Sequence, residues 1–304
     1  MQHRCQPLSR RWRRCRRSSQ ECRCGDVPGQ AHRGQQRPDL HPRSVEHDRR
    51  TGPASNAVAR RARTWRIPAA LSASGTIVGL EALLRWNHPE RGLTSPCTFI
   101  PLAEETGIIV PIGEWVLRTA CRQLALWEKM GLPPLAISIN LSVRQLLQKG
   151  LVAMVAATLR DAGLAPGRLD LELTESLLAR DTDAAIGVLR ALRSLGVRLS
   201  IDDFGTGYSS LGYMKRLPIS RLKIDQSFVR DIDSDPANAA IARSMITLGH
   251  SLNLEVLAEG VETQGERHWL RAAGCKLGQG YLFSRPVDAS AVPGLLIGVA
   301  ACAA

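Results

Sequence analysis

Lysine is absent from the first 66 residues, and that absence separates two unlike parts of the chain. Residues 1–66 hold 17 Arg and no Lys against 5 acidic residues, so they carry the whole formal net charge of +12; residues 67–304 balance 23 basic against 23 acidic residues. A basic chain points to nucleic acid only where the charge lies on folded surface, and here the folded part is neutral. No apolar run approaches the roughly 18 residues of a transmembrane helix, and the apolar end from Val292 to Ala304 is also too short. The Arg-rich N-terminus has no apolar h-region, so it does not read as a secretory signal, and a cytoplasmic location is the expectation. The eight cysteines, Cys5, Cys15, Cys22, Cys24, Cys97, Cys121, Cys275 and Cys302, form no legible secreted disulfide framework. Short repeats and coiled-coil heptads are missing too.

Residues 1–66 also lack a sustained apolar face. Their Arg clusters, with Gln, Pro, Gly, Ser and His between them, bury too little surface to order the chain, and a disordered tail is expected. Cys15, Cys22, Cys24 and His32 do not match structural zinc spacing. Arg10 to Arg17 would meet phosphates but include one aromatic, Trp12, which argues for a solvated tail rather than a binder of nucleic-acid polymers.

What is present begins near residue 75. Seven short apolar runs alternate with longer amphipathic stretches, and each run ends in a carboxylate, amide or lysine. Glu81 follows Ile77–Leu80, Asn140 follows Leu135–Ile139, Glu172 lies in Leu169–Leu173, and Asp202 and Asp203 follow Val197–Ile201. Lys223 lies in Leu222–Asp225, Glu259 follows Val256–Ala258, and Gln279 follows Cys275–Gly278. Helical periodicity covers Trp115–Met130, Val143–Gly163, Asp183–Gly196, Ala237–Leu252 and Thr263–Gly274. This β-then-α order predicts parallel strands with crossover helices, and 304 residues suit one (β/α)8 TIM-like barrel of about 250 residues. Such a barrel gathers its strand ends around one face, so residues far apart in sequence converge there.

Clustered carboxylates with an amide suit a hard divalent cation, Mg²⁺ or Mn²⁺, which prefers oxygen ligands. The adjacent Asp202 and Asp203 point in different directions at a strand end, so one can bridge two ions while the other reaches the second. Two metals about 3.5–4 Å apart are the usual device for in-line attack on a phosphodiester. Each position also has a plainer reading: an Asx-rich turn for Asp202-Asp203, a cap on Ser142–Gln148 for Asn140, an edge-strand charge for Lys223, a Gly-rich turn for Gln279. His88 and His250 read as surface or packing residues. Seven strand ends carrying such groups together outweigh the plainer readings.

The residues around these positions are Glu81-Ala82-Leu83-Leu84-Arg85-Trp86, Asn140-Leu141-Ser142, Glu172-Leu173-Thr174-Glu175-Ser176, Asp202 to Leu211, Leu222-Lys223-Ile224-Asp225, Ala258-Glu259-Gly260-Val261-Glu262 and Gln279 to Phe283. From about Gly75 to Ala289 the chain resembles the EAL-domain phosphodiesterases, bacterial signalling enzymes that cleave cyclic di-GMP to linear pGpG. The resemblance implies a two-metal site of Mg²⁺ or Mn²⁺ in which Glu81, Asn140, Glu172 and Asp202 hold one ion, and Asp202 bridges to a second held by Asp203. It implies Glu259 as general base, Lys223 on a water or phosphate oxygen, and Arg85 on a substrate phosphate. Gln279, Asp225 and Glu262 would support the site, and Glu175 would brace the loop from Phe204 to Leu211, which in this family couples metal binding to dimerisation. Cyclic di-GMP and a second copy of the chain are thus the expected partners. A second reading is a catalytically impaired receptor that binds cyclic di-GMP without turning it over, but no metal ligand of the family is missing here.

The resemblance fails at the first strand, which is expected to be degenerate or missing. The family carries Tyr-Gln-Pro there with a helix ahead of it, whereas this chain has Arg66-Ile67-Pro68-Ala69-Ala70-Leu71, with Ile67 in place of Gln. Ile67–Ala70 can be encoded as ATA CCA GCC GCT, which read from the second base gives TAC CAG CCG, or Tyr-Gln-Pro. The segment ahead of Leu71 therefore reads as an out-of-frame stretch upstream of an EAL barrel over residues 67–304, the alternative being a poorly matching strand from Thr64 to Leu71 that still closes the barrel. Resequencing the gene is expected to show an open frame encoding Tyr-Gln-Pro upstream of the Leu71 codon; its absence rejects the shift.

Overall fold

The structure of the protein, a computed structural model, describes residues 64–66, 69–72, 75–175, 183–207 and 214–296. The readings of the tail fall outside the described residues except at Thr64–Arg66, and Ile67 and Pro68 fall outside them too. The described strands are β1 (Thr64–Arg66), β2 (Ala69–Ser72), β3 (Ile77–Glu81), β4 (Leu83–His88), β5 (Gly92–Thr94), β6 (Ala136–Asn140), β7 (Leu169–Thr174), β8 (Arg198–Phe204), β9 (Arg221–Ile224), β10 (Glu255–Ala258) and β11 (Leu277–Gln279). Eight of them close a barrel in the order β2-β3-β6-β7-β8-β9-β10-β11, with β11 returning to β2.

Seven barrel strands are parallel, as the alternation of strand and helix predicts. The eighth place, expected to be degenerate or missing, is held by β2, which runs antiparallel to both β11 and β3 and carries a register shift between Ala70 and Leu71. The reason is the link to β3. Ser72 N donates to Thr76 O at 2.8 Å and Gly75 N to Ser72 O at 2.9 Å, closing a tight turn in which Gly75 has φ +88°. A turn this short can join only antiparallel strands, because a parallel pair needs a crossover of about a dozen residues or more. Consequently the start of β2, with Ala69 opposite Leu80 and Ala70 opposite Gln279, lies beside the strand ends that carry Glu81 and Gln279.

After β3 come β4 and β5, which form a small antiparallel sheet with the earlier β1, and then the helix Pro96–Thr106; neither sheet nor helix is foreseen by the sequence reading. Trp115–Met130 is the later part of a longer helix, Ile109–Lys129, whose buried residues Ile109, Ile112, Val116, Leu117, Ala120, Cys121 and Leu124 keep one face on the barrel. The expected helix Val143–Gly163 is two, Val143–Leu146 and Leu151–Ala162, because Gly150 at φ +89° breaks it. Asp183–Ser194, Pro236–Ser251 and Gln264–Ala272 match their predicted helices to within a turn.

Strand alternation sorts side chains between two layers. In β7, β8 and β9, Leu169, Leu171, Leu173, Leu199, Ile201, Leu222 and Ile224 belong to the apolar layer packed with the helices. The residues between them fill the barrel with polar groups in two tiers. The lower tier is a network that runs from the buried Asp170 out to the exposed Glu255: Ser200 Oγ donates to Asp170 Oδ1 at 2.7 Å, Arg221 Nη1 to Asp170 Oδ2 at 2.8 Å, and Arg221 Nη2 to Glu255 Oε2 at 3.0 Å. Glu255 also accepts from Arg198. Two residues further along each strand, Glu172, Asp202 and Lys223 form the upper tier.

Removing one member of a buried ion pair strands the other, at a cost of about 3–5 kcal/mol. Asp170→Ala is expected to lose that much in urea unfolding. The double variant Asp170→Leu/Arg221→Met is expected to recover most of it.

Candidate active site

The upper tier turns seven strand ends into one constellation. Glu81 closes β3, Asn140 closes β6, Glu172 lies near the end of β7, Asp202 and Asp203 near the end of β8, and Lys223 near the end of β9; Glu259 follows β10 and Gln279 closes β11. Glu259 extends the ladder beyond β10, its N–H donating to Ile224 O at 3.0 Å.

Lys223 sits at the centre, 1% exposed. Its Nζ lies 2.8 Å from Glu172 Oε2, 3.1 Å from Asp202 Oδ1 and 2.7 Å from Glu259 Oε1. These are ion pairs at close range, without the angles of directed hydrogen bonds. Burial pulls the ammonium's pKa down, but Asp202, Glu172 and Glu259 together outweigh it and hold Lys223 well above its ordinary value. Glu172 is displaced upward as well, first by burial and then by Glu81, Asp202 and Asp170, with Lys223 opposing. More negative charge is gathered here than one ammonium offsets, as in a site built to receive cations.

Glu81 is held from both sides. Asn140 Nδ2 donates to its Oε1 at 3.0 Å and Gln279 Nε2 to its Oε2 at 2.7 Å. Asn140 is therefore not the cap of the following helix: Ser142 is, in a capping box with Gln145. Because both amides spend their N–H on Glu81, the carbonyl oxygen of each is left to accept.

Asp203 has φ +52°, a left-handed conformation that Asp and Asn adopt more readily than most residues. The β8–β9 register breaks between Ile201 and Phe204, on either side of it. Regular alternation would turn Asp203 away from Asp202, yet one carboxylate oxygen from each of Asp202, Asp203 and Glu259 lies within 4.8 Å of the other two. These three form an acidic group able to hold a metal ion. The residues therefore fit a divalent cation, and they bring Glu259, read from the sequence as a base, into the ligand cluster.

Arg85 is buried at the start of the small sheet, with Nη1 donating to Leu84 O at 2.7 Å. Glu175 Oε2 accepts from Gly205 N at 2.9 Å and Gly207 N at 3.2 Å; the loop beyond Gly207 to 213 lies outside the described residues. Asp225 is N-cap of Gln226–Val229, its Oδ1 accepting from Ser227 N at 2.8 Å. Glu262 is exposed, and its backbone N–H donates to Glu266 Oε2 at 2.7 Å. His88, as expected, has a packing role, accepting from Glu90 N and Arg91 N and meeting Trp86 edge-on. His250 is exposed. The lower tier was not picked out from the sequence, although Leu-Asp-Leu-Glu-Leu in β7 encodes it by its period of two.

A (β/α)8 barrel whose mouth carries a metal-binding carboxylate cluster around a buried lysine is the class that fold and site define. The EAL domain family model matches residues 68–286, and the chain belongs to that family. Among its relatives, the bifunctional diguanylate cyclase/cyclic di-GMP phosphodiesterase MucR of Pseudomonas aeruginosa is 50% identical over 222 residues, covering 73% of this chain and 32% of MucR. The chain spans about a quarter to a third of the length of the curated relatives it matches. The solved PaMucR phosphodiesterase in complex with c-di-GMP superposes with a TM-score of 0.74 at 46% identity, over 79% of this chain and 97% of that one. The manganese/cy-diGMP complex of Klebsiella pneumoniae BlrP1 at pH 6 superposes with a TM-score of 0.65 at 32% identity, over 74% of this chain and 56% of that one.

Asn tolerates the left-handed region as Asp does, and losing one carboxylate relieves repulsion. Asp203→Asn is therefore expected to be at least as stable as the native protein in thermal unfolding without metal. Asp203→Val is expected to lose about 1–3 kcal/mol to backbone strain. In Mn²⁺ titration calorimetry both variants are expected to bind more weakly than the native protein.

Proposed function

We propose that this protein is a metal-dependent phosphodiesterase that opens cyclic di-GMP to linear pGpG. The observation that carries the reading is the approach of the Asp202, Asp203 and Glu259 carboxylates, one oxygen from each, to within 4.8 Å of one another beside a lysine ion-paired with Glu259 and Asp202. Glu81, Asn140, Glu172 and Asp202 would hold one divalent ion, and Asp203, with one oxygen of Glu259 in reach, would hold a second that Asp202 shares. When bound, such ions offset charge on phosphoryl oxygens and make a nearby water more acidic.

The chain's own residues do the rest. Glu259 takes a proton from the attacking water as the water oxygen bonds to phosphorus, and the bond from phosphorus to the ribose 3′-oxygen breaks, that oxygen leaving as a hydroxyl with a proton drawn from solvent. Lys223, held by three carboxylates, sets positive charge against the developing phosphoryl charge. Arg85, at the rim, meets the substrate phosphate. Gln279 and Asn140 keep Glu81 in one orientation through their two hydrogen bonds. Glu175, Asp225 and Glu262 support the loops around the mouth. The reading includes a homodimer linked to the site through the loop that Glu175 holds, and a cytoplasmic location; among the described residues no helix is long and apolar enough to cross a membrane.

The test is hydrolysis of cyclic di-GMP by the full chain with Mg²⁺ or Mn²⁺, following pGpG. Turnover is expected, stopped by a chelator and abolished in Glu81→Ala. Tight binding of cyclic di-GMP with no metal-dependent turnover would overturn the reading in favour of a receptor.

A further inference from the structure

Glu266 lies outside the constellation, at the third position of the helix Gln264–Ala272, and is buried. With Thr263 it forms a capping box, in which Thr263 Oγ1 accepts from Glu266 N at 3.1 Å and Glu266 Oε2 accepts from Thr263 N at 2.9 Å. Capping accounts for one bond of that carboxylate. Two others reach further. Oε2 also accepts from Glu262 N at 2.7 Å, and Oε1 accepts from Asp231 N at 3.3 Å, 35 residues away.

These bonds join two loops that begin at site residues. Glu262 belongs to the turn that follows Glu259, through Gly260 at φ +71°. Asp231, itself left-handed at φ +56°, ends the segment that starts at Lys223 and passes through Asp225 and the helix Gln226–Val229. The loops also approach each other at Gly265, where an added Cβ would meet the end of the Asp233 side chain. Where the two loops begin, Lys223 and Glu259 stand 2.7 Å apart.

We infer that Glu266 is a positioning residue, a carboxylate clamp that fixes the loop after Glu259 against the loop after Lys223 and so holds Glu259 where it can share a divalent ion. The clamp acts through backbone N–H groups rather than through contact with substrate or metal. It rests on the metal site proposed above.

Three variants separate this role from helix capping. Thr263→Ala removes the hydroxyl that caps the helix and leaves the Glu266 carboxylate in place. Glu266→Gln keeps an oxygen for Glu262 and Thr263 but turns an amide donor towards the Asp231 N–H. Glu266→Ala removes all three bonds. In Mn²⁺ titration calorimetry the dissociation constant is expected to rise about tenfold in Glu266→Ala and about threefold in Glu266→Gln, the range of supporting residues around metal ligands, and to stay native in Thr263→Ala despite its lower melting temperature. Amide hydrogen exchange without metal is expected to quicken in both loops, Asp225–Asp231 and Glu259–Thr263, in the two Glu266 variants alone. Native exchange in both loops of Glu266→Gln overturns the clamp, as does a loss of affinity in Thr263→Ala equal to that in Glu266→Ala. If Glu266→Ala fails to fold, Glu266→Gln against Thr263→Ala decides. A native protein that binds no Mn²⁺ defeats the proposed metal site, while hydrogen exchange still decides the clamp.

Discussion

A buried ammonium surrounded by carboxylates persists only if its neighbours are prevented from spreading apart, and the barrel provides that restraint around Lys223. Glu172, Asp202 and Glu259 come from three strands, and each reaches the same Nζ at 2.7–3.1 Å. Desolvating any one of these charges alone is expensive; gathering them on a closed ladder makes each a counter-ion to the others. The parallel ladders from β7 to β10 fix the strand ends relative to one another. A slip of one residue would turn every polar group to the helix layer, so the mouth and the core share one register.

The same register divides the interior between two tasks. The lower tier, Asp170, Ser200 and Arg221, pairs its charges directly and braces the barrel. The upper tier, two residues further along the same strands, carries an excess of negative charge. Stability is concentrated in one tier and unmet charge in the other, and this lets the mouth remain charged without loosening the barrel beneath it. The left-handed Asp203 is the local departure that places two adjacent carboxylates in the same opening.

Much of this arrangement is legible in the amino-acid order. Runs such as Leu-Asp-Leu-Glu-Leu and Leu-Lys-Ile-Asp announce both the strand and the end that matters, because a period of two separates an apolar face from a polar one. The helices announce themselves by their apolar stripe, and Gly150 alone divides one of them. The sheet β1-β4-β5 is illegible because its hairpin, Leu83–His88 with Gly92–Thr94, makes only three residue pairs and shows no strict apolar–polar alternation, and its third strand, Thr64–Arg66, lies ahead of the regular pattern. The direction of β2 was missed because pattern gives a strand's faces but not its sense; the turn from Ser72 to Thr76 decides that. The bonds of Glu266 to Asp231 are likewise invisible to sequence, since the Thr-x-x-Glu spacing signals only a helix start.

The reversed strand also sets where force enters the molecule. In a barrel with a parallel first strand, chain joined upstream arrives at the floor, far from the mouth. Here Thr64–Arg66 is zipped against Leu83–Arg85, and the chain then descends from the rim beside Glu81 and Gln279. Tension or twist on the incoming polypeptide is thus delivered first to the hydrogen bonds beside Arg85 and Glu81, and reaches the braced floor last.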